Sequence, residues 1–322
     1  MSGDKTRLIY GALVKAESTY GTFVAPAAAT DGVPLAEYPE LTLEYGRDGE
    51  LGPAPGTGGQ LIRVVPSAPQ VRVPLKIQSR GAGVAYSPAV HAPEHALILA
   101  SGFTVATTTT SGSEKDTYTP TPGPGSHTSV SAEFYTEGEK WQVNGGYAVW
   151  QYEVENGRPA LWTFETRGRL QADPTEDTTT AKTIVYGTVK PPIAAPLTVT
   201  LDGTSTLVVE KIVIESGREL HPRVSGQYGF HPGRRAPRLT LTIERPLFAT
   251  KNFWNLWKNG TEFQVTFTIG STQYNRDVWT LAKAQVIEVR ASGDGARSML
   301  EVTCALASTT PIANDDIKLE KT

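Results

Sequence analysis

The feature that most constrains the fold is a long run of alternating residues on both sides of a turn, between residues 139 and 170. The dipeptide Asn156-Gly157 suits a tight turn because both residues tolerate positive φ angles. Alternation with period 2 around such a turn predicts a half-buried antiparallel hairpin. The apolar face carries Trp150, Tyr152, Val154, Trp162 and Phe164, and the polar face carries Gln151, Glu153, Glu155, Thr163, Glu165 and Arg167.

The same pattern returns near the C-terminus, which indicates an internal repeat. Tyr152-Glu153-Val154 matches Ile287-Glu288-Val289 at an offset of 135 residues. Four matches in one order predict that the chain is a diverged duplication. The other three are Leu43–Arg47 with Ile214–Arg218, Val71–Ile77 with Arg238–Ile243, and Phe164-Glu165 with Leu300-Glu301.

Composition and length extend this prediction to the whole chain. With 322 residues, 31 Gly, 23 Pro, two Met and one Cys, the chain favours a mainly β protein with two cores. We expect two tandem β-sandwich or barrel domains, each with one short helix. The boundaries are residues 1–190 for the first domain with its N-terminal arm, 191–196 for a linker, and 197–322 for the second domain with a C-terminal tail.

Local signals predict the remaining elements. Helices are expected over residues 87–101, after Ser87-Pro88, and over 247–258. Residues 183–189 are predicted to form a further strand, and the chain from Ser308 onward a polar tail. The segment from Arg47 to Gln60 holds too many Gly and Pro residues for regular structure, and residues 217–235 are predicted to be a second long loop.

Several functional classes are disfavoured by charge and hydropathy. A formal net charge of −3 argues against a general nucleic-acid binder, which would carry a basic stripe. The N-terminus lacks the pattern of a signal peptide, and no stretch approaches the length of a membrane span. We therefore expect a soluble protein made in a cytoplasm. Cys304 lies on the apolar side of a predicted strand and is expected to be a buried structural thiol.

The candidate chemical motifs favour no enzyme. His91-Ala92-Pro93-Glu94-His95 matches an inverted zinc-protease pattern, but Pro93 disrupts the helix that this chemistry needs, so solvated first-turn residues are favoured. Trp254 and Trp257 could form a sugar-stacking platform. Because they are spaced i and i+3 on a short helix, core or interface packing is favoured. No metal, cofactor or catalytic residue is predicted.

The segment from Ala12 to Thr22, ALVKAESTYGT, resembles the N-terminal signature of major tail tube proteins of long-tailed, non-contractile bacteriophages. The order of strand, long loop, strand, helix and charged hairpin is similar to that family in both repeats. The resemblance implies three two-domain subunits in a pseudo-sixfold ring, and rings stacked into a tube that conducts DNA from a virion without binding it specifically. It also implies assembly in a bacterial cytoplasm, and a tape measure protein, a tail terminator and a distal tail protein as partners.

Two sets of residues acquire candidate roles from this resemblance. The polar face of the hairpins would line the lumen, where carboxylates repel phosphates; the alternative is that these glutamates form a solvated exterior. The two long loops would reach the next ring. The lumen set is Glu153, Glu155, Glu165, Glu288 and Glu301, and the stacking set is Arg47, Glu50, Leu51, Arg63, Arg218, Tyr228, Phe230 and Arg234.

Two alternatives remain open at this point. A distal-tail or baseplate-hub component would use the same domain in a single ring. A tandem β-sandwich of lectin or adhesin type would instead bind glycans through exposed aromatic side chains. The tube hypothesis predicts concentration-dependent polymers, the hub hypothesis isolated rings, and the glycan-binding hypothesis a monomer.

Overall fold

The computed structural model describes most of the chain. Its backbone is described for residues 10–44, 47–51, 61–66, 70–123, 127–177, 180–223, 229–293, 297–310 and 313–322. Side chains are described over the same ranges except at 47–51, 61–66, 181–182 and 223.

Strands dominate the described residues, and two short helices accompany them. The first part of the chain contains β1 (Tyr10–Ala16), β2 (Gly32–Val33), β3 (Thr42–Glu44), β4 (Arg47–Leu51), β5 (Leu61–Pro66), β6 (Gln70–Gln78), α1 (His95–Ala100), β7 (Phe103–Thr108), β8 (Lys115–Pro120), β9 (Val130–Thr136), β10 (Glu139–Glu155), β11 (Leu161–Leu170) and β12 (Thr175–Glu176). The second part contains β13 (Thr198–Leu201), β14 (Ser205–Glu215), β15 (Leu220–Arg223), β16 (Gly229–Pro232), β17 (Arg238–Glu244), α2 (Phe253–Asn259), β18 (Glu262–Ile269), β19 (Asp277–Gly293), β20 (Ser298–Ala307) and β21 (Lys318–Lys321). The predicted mainly β class is therefore confirmed.

The second half of the chain closes into a barrel. Antiparallel pairs connect the strands in the order β13–β14–β17–β20–β19–β18, and β18 returns to β13. Alternate residues of each strand point inward, as in Leu239, Leu241 and Ile243 of β17, which are all at most 1% exposed.

The first half repeats this arrangement. Its order is β1, then β2 with β3, then β6, β11, β10 and β9, and β9 returns to β1. The bridge between Leu35 and Ile77 joins the segment after β2 to β6. β1 thus occupies the place of β13, the β2–β3 segment that of β14, and β6, β11, β10 and β9 those of β17, β20, β19 and β18. A duplication would produce this correspondence; the duplication itself and the domain boundaries stay predictions.

The central hairpin forms as predicted. β10 pairs with β11 from Glu153↔Leu161 down to Val143↔Leu170. Its predicted apolar face is at most 4% exposed, and the opposite face is partly solvated. The connection is longer than a two-residue turn: Gly157 takes a positive φ of 76°, whereas the side chain of Asn156 accepts a hydrogen bond from Leu197 N.

The two halves share one apolar core. Tyr152 on β10 lies 4.6 Å, between ring centroids, from Trp162 on β11 and 4.6 Å from Trp279 on β19. All three side chains are fully buried. Large aromatic side chains supply much of the area that such a core removes from water, so this cluster ties the halves together.

Both long segments that were predicted to be irregular contain hairpins, so that prediction is wrong in part. β4 pairs with β5, and β15 pairs with β16. The Gly and Pro residues between β4 and β5, 52–60, lie outside the described residues. A sequence rich in Gly and Pro therefore did not prevent β4 and β5 from pairing.

Helix positions were predicted more accurately than their lengths. α1 begins at His95, not near residue 88, because Ser87 and Val90 form an isolated β-bridge and Pro93 precedes the helix. α2 begins at Phe253, where the side chain of Asn252 accepts a hydrogen bond from Asn255 N, and ends before Gly260 in the left-handed conformation. The expected start near residue 247 was too early.

Two further predictions need correction. Residues 184–189 form no strand; a 3₁₀ turn at Thr180–Thr183 precedes a segment without regular structure, in which Val185 N bonds to Ala28 O. The predicted polar tail contains β21, which pairs with β19 and with β8 of the first half. The buried Leu319 and Lys321 hold it in place.

Candidate functional site

The five glutamates assigned to a lumen share one face of a continuous antiparallel sheet. Seven strands build it, in the order β6–β11–β10–β14–β17–β20–β19. Directly opposed residues on neighbouring strands project to the same side. The pairs that connect the glutamates are Glu165↔Val149, Glu153↔Val213, Glu155↔Lys211, Lys211↔Thr242, Thr242↔Glu301, Glu301↔Arg290 and Glu288↔Thr303.

Basic side chains neutralise most of these carboxylates. The ion pairs are Glu153–Lys211 at 2.8 Å, Glu155–Arg158 at 2.7 Å, Glu165–Arg72 at 2.6 Å, Glu165–Arg167 at 2.7 Å and Glu288–Arg290 at 2.7 Å. Burial alone would raise the pKa of Glu165, but hydrogen bonds from its two arginines outweigh burial and lower the pKa. The face therefore carries interleaved charge of both signs and is not the acidic wall that the glutamates alone suggested.

Both ends of this sheet are open, which the sequence did not reveal. At one end, β3 joins β6 and has no other strand partner among the described residues. At the other end, β18 covers one edge of β19 only as far as Gln285. Beyond that point no described strand pairs with this edge, and Ile287 is 42% exposed. Unpaired edges are templates for pairing with another chain.

The residues assigned to ring stacking separate into three groups. Arg47, Glu50, Leu51 and Arg63 lie on β4 and β5, whose backbone alone is described, and Tyr228 lies outside the described residues. Phe230 is 3% exposed and packs beside Tyr147 and Leu220 of its own chain. Arg218 and Arg234 line a common cleft with Arg235.

The signature segment has a structural role centred on Glu17. Glu17 is 7% exposed, and its carboxylate accepts four hydrogen bonds of 2.6–2.8 Å. The donors are Gly21 N, Ser129 Oγ, Ser131 Oγ and Gly145 N. In the same segment, the Tyr20 ring stacks on Tyr147, and its hydroxyl accepts a hydrogen bond from Phe230 N at 3.1 Å. The segment thus fastens β1 to β9, β10 and the β15–β16 hairpin.

Replacing Glu17 with glutamine is expected to lower the free energy of unfolding by about 1–3 kcal/mol. The new amide nitrogen would face hydrogen-bond donors, leaving a buried donor unsatisfied. Urea denaturation measures the change. Glu37→Gln is the matched control, because Glu37 is exposed and its one ion pair within the described residues is with the partly exposed Lys76 at 2.8 Å. A loss for Glu17→Gln no larger than for the control would contradict the assignment.

The histidine motif does not form a protease-like site, as expected from its sequence, but its residues are less solvated than predicted. Glu94 is fully buried and accepts a hydrogen bond from Lys321, so it is not a free base. His91 and His95 instead lie near Asp116, with potential ligand atoms within 4.8 Å of one another. Their rings stack in parallel at 3.8 Å, so their lone pairs do not converge on one ion. Each Nδ1 already has a partner: Asp116 Oδ2 at 2.7 Å and Tyr118 Oη at 2.8 Å.

The tryptophan pair lies beside β19 and not in the core. Trp254 and Trp257 meet edge to face at 6.2 Å between ring centroids, and Trp257 Nε1 donates to Ile287 O on β19, but Trp257 is 49% exposed. Core packing is therefore wrong for Trp257, and interface packing stays a prediction. Perpendicular rings do not offer the flat surface that a sugar-stacking platform requires. Cys304 is fully buried, and burial raises the pKa of its thiol to about 12, which confirms an inert structural thiol.

Comparison with protein families decides the assignment. A family model described as phage tail tube protein matches residues 11–315. The chain belongs to this family. No curated protein matches the sequence. The match covers both barrels, and it confirms the resemblance that the signature segment suggested.

As a member of the phage tail tube family, the protein is a structural component of a virion tail. The family implies self-assembly into a tube, and it is generally non-enzymatic. Within the described residues, neither helix has the length and apolar character that crossing a bilayer requires.

Proposed function

We propose that three copies of this tail tube protein close into a ring by pairing β19 of one copy with β3 of the next. Stacked rings would form the conduit through which DNA is ejected. The observation that carries the proposal is the eight-strand sheet from β3 to β19, open at both ends. Inside each chain, β10 of the first half pairs with β14 of the second half, and we call this pairing the internal joint.

That internal joint provides a template for the joint between copies. β9 pairs with β10 as far as Gly146, and β14 then pairs with residues 151–155. β18 likewise leaves β19 at Gln285, but no strand in the described part of the chain continues along that edge. The place that β14 occupies in the internal joint corresponds to β3 in the first half, so β3 of a second copy fits the part of the edge that no described strand covers.

The repeat also predicts the register of the new joint. Within the chain, Tyr152 lies opposite Ile214, and Glu153 lies opposite Val213. The sequence matches convert these pairs to Ile287↔Leu43 and Glu288↔Thr42. Tyr152 is fully buried in the internal joint, whereas Ile287 is 42% exposed. Pairing with β3 of a second copy would cover this exposed side chain.

The number of strands supports three copies. Three sheets of eight strands give 24 strands, which at a spacing of about 4.8 Å and a tilt of about 40° form a barrel about 50 Å across its backbone. Inward side chains of about 5 Å would leave a bore of roughly 40 Å, which admits duplex DNA. The polar face with Glu153, Glu155, Glu165, Glu288 and Glu301 would line that bore, where it would contact DNA without specific binding.

The hairpins β4–β5 and β15–β16 are proposed to reach the next ring. Both follow the strands that form the joints, β3 and β14, at the same end of the sheet. The partners implied by the family resemblance, a tape measure protein, a tail terminator and a distal tail protein, would bind the lumen and the two ends of the tube. No observation favours a single-ring hub component or a glycan-binding module over this function.

Cysteine cross-linking tests both the joint and the ring size. Thr42→Cys and Glu288→Cys in one chain should form disulfides between copies, because opposed residues of antiparallel strands lie about 4.5–5.5 Å apart between Cα atoms. Denaturing gels should show a ladder of one, two and three chains. A closed ring adds no fourth band. Cys304 is buried and should not interfere.

The pair Glu153→Cys with Val213→Cys is the positive control, since the internal joint places these residues opposite each other. Each single cysteine variant is the negative control. A ladder that continues to six chains would replace the trimer with a hexamer. No cross-linking between copies, with the internal control intact, would refute the proposed joint.

A further inference from the structure

A basic cleft opens beside the β15–β16 hairpin, with a volume of about 460 Å³. It lies where β14 ends and β17 begins, so it belongs to the same end of the sheet as the proposed stacking hairpins. The side chains that give it its charge and its hydrogen-bond donors are Arg218, Arg234, Arg235, His127, His221 and His231.

Arg218 is the most unusual of these residues because its guanidinium is buried without a counter-ion. The residue is 9% exposed, and the one side-chain hydrogen bond that it makes to a described residue runs from Nη1 to Ser101 O at 3.4 Å. No carboxylate in the described part of the chain lies within ion-pair distance of it. Burial, followed by repulsion from Arg235, lowers the pKa of Arg218 to about 10. Gly102 makes room for it, since a Cβ there would lie 2.1 Å from Nη1.

Two further buried groups lack partners in the same cleft. Arg235 donates through Nη2 to Asp316 at 2.7 Å and to Asn314 at 3.2 Å, but its Nη1 has no partner among the described residues. Nδ1 of His127 is also buried, and no residue that the structure describes bonds to it. Burial and the neighbouring cations lower the pKa of His127 to about 4, so its ring is neutral at pH 7.

The charge of the cleft is unbalanced. Among the described residues, the three guanidinium groups form an ion pair with one carboxylate, that of Asp316, which leaves an excess of two positive charges. The sequence of residues 124–126, 224–228 and 311–312 contains no Asp or Glu. Buried polar groups are normally satisfied, and buried charges are normally paired. The unmatched donors therefore indicate a ligand that the isolated chain lacks.

We propose that this cleft is an oxyanion-binding site. A carboxylate or phosphate group has the planar or tetrahedral acceptor oxygens that guanidinium groups bind in bidentate fashion. One group held by Arg218 and Arg235 Nη1 would satisfy the unpaired donors, and a second oxygen would reach His127 Nδ1–H.

In the assembled tail the natural occupant is a carboxylate of a second copy, a point that rests on the proposed function. Arg218 and Arg235 lie at one end of β14 and β17. Glu244 and Asp202 lie at the opposite ends of the same two strands. Glu244 is exposed, whereas Asp202, with a side chain that is 50% exposed, already pairs with Lys251 at 3.5 Å. Stacking copies end to end would bring an exposed carboxylate toward each basic cleft.

Inorganic phosphate tests the site on the unassembled, full-length protein. At constant ionic strength set with chloride, phosphate should raise the Tm of the protein saturably, and Arg218→Met should weaken the apparent affinity at least tenfold. Arg238→Met is the matched control, because Arg238 is exposed on the polar face of β17, and it should respond like the parent. Equal responses from all three proteins, or none, would overturn the site.

A second variant guards against a folding defect. His127→Ala keeps both arginines and should bind phosphate roughly three- to tenfold more weakly, as followed by the broadening of the phosphorus NMR signal. An unchanged affinity would remove His127 from the site.

The assembled tube distinguishes the two possible sources of the anion, a carboxylate of a second copy and a free anion from solution. If a second copy supplies it, phosphate should dissolve assembled tubes at concentrations at which chloride of equal ionic strength does not, and Arg218→Met rings should fail to stack. Phosphate binding without any effect on tubes would assign the site to a free anion and overturn the second-copy occupant. Arg218→Met should still form the ladder of cross-linked chains within a ring. If that ladder is lost, the defect lies in ring closure and the result does not test the anion site.

Discussion

Replacing Lys321 with methionine is expected to lower the free energy of unfolding by about 3–5 kcal/mol, because it leaves buried carboxylates without their cation. Lys321 Nζ lies 2.7 Å from Glu94 Oε1 and 2.9 Å from Asp277 Oδ1, and all three side chains are fully buried. Nζ also donates to Ser79 Oγ and Arg80 O, both at 3.1 Å. The cluster connects β21 and β19 to β6 and to the start of α1, so its loss weakens the contact between the halves.

The ionisation of Lys321 sets the pH range of this effect. Burial alone would lower its pKa, but the charges of Asp277 and Glu94 outweigh burial and raise the pKa above its usual value. A raised pKa in the folded state stabilises the protein below the unfolded value of about 10.4 and loses that contribution as pH rises through the folded value. Urea denaturation at pH 7 and pH 9 should therefore give the same loss.

Lys318→Met is the matched control, since Lys318 is on the same strand, is 37% exposed and lies 3.6 Å from Glu320. It should change stability by no more than about 1 kcal/mol. Adding Glu94→Gln and Asp277→Asn to Lys321→Met should recover part of the loss by removing the unpaired charges. A loss below about 1 kcal/mol for Lys321→Met would show that the cluster is not an important tie.

Replacing Glu165 with glutamine is expected to make assembled tubes retain DNA. Glu165 holds Arg72 and Arg167, and losing its charge would release two guanidinium groups per chain onto the face proposed as the lumen. A ring of three copies would present six free cations. The affinity for DNA of a protein that makes about six to ten phosphate contacts falls roughly 10³–10⁵-fold when the salt concentration rises from about 50 to about 200 mM. Retention of DNA should therefore be strong at about 50 mM salt and largely lost at about 200 mM.

Glu320→Gln provides an equal release of charge elsewhere. Glu320 pairs with Lys115 at 2.7 Å and Lys318 at 3.6 Å on β21 and β8, outside the seven-strand face. If that face lines the lumen, duplex DNA threaded through tubes should be retained by Glu165→Gln and pass through Glu320→Gln. Equal retention by both variants would place Glu165 on the outer surface.

The sequence was most informative where one physical signal dominated. Period-2 alternation around Asn156-Gly157 identified β10, β11 and the residues that they bury, because a half-buried strand must alternate. The same alternation placed the five glutamates on one polar face. The family followed from the segment around Glu17 and Tyr20, residues whose hydrogen bonds and ring stacking fasten several strands.

Long-range contacts account for most of what could not be predicted. Neither the spacing of Lys321 from Glu94 nor the charge of either residue signals that they meet in the core. β4, β5, β15 and β16 were missed because Gly and Pro suggested loops, and pairing outweighed that local preference. The strand expected at 183–189 did not form, although Ile184, Val185 and Val189 have high β propensity. A segment with high β propensity forms a strand only where another strand is available to pair with it.

Ion pairing likewise depends on register and not on spacing. Arg72 precedes Glu165 by 93 residues and reaches it only because β6 lies beside β11. Counting glutamates along the chain therefore overestimated the negative charge of the sheet face. The cleft around Arg218 escaped prediction for the same reason, since its lining comes from both halves of the chain.

The internal pairing of β10 with β14 also bears on how readily rings would form. Each association between free molecules loses translational and rotational freedom worth an estimated 4–15 kcal/mol. Six separate domains would need five such associations to make a sixfold ring, whereas three chains with the joint built in need two. In the proposed ring, assembly would then scale with the third power of the subunit concentration and not the sixth, so rings could form from far more dilute protein.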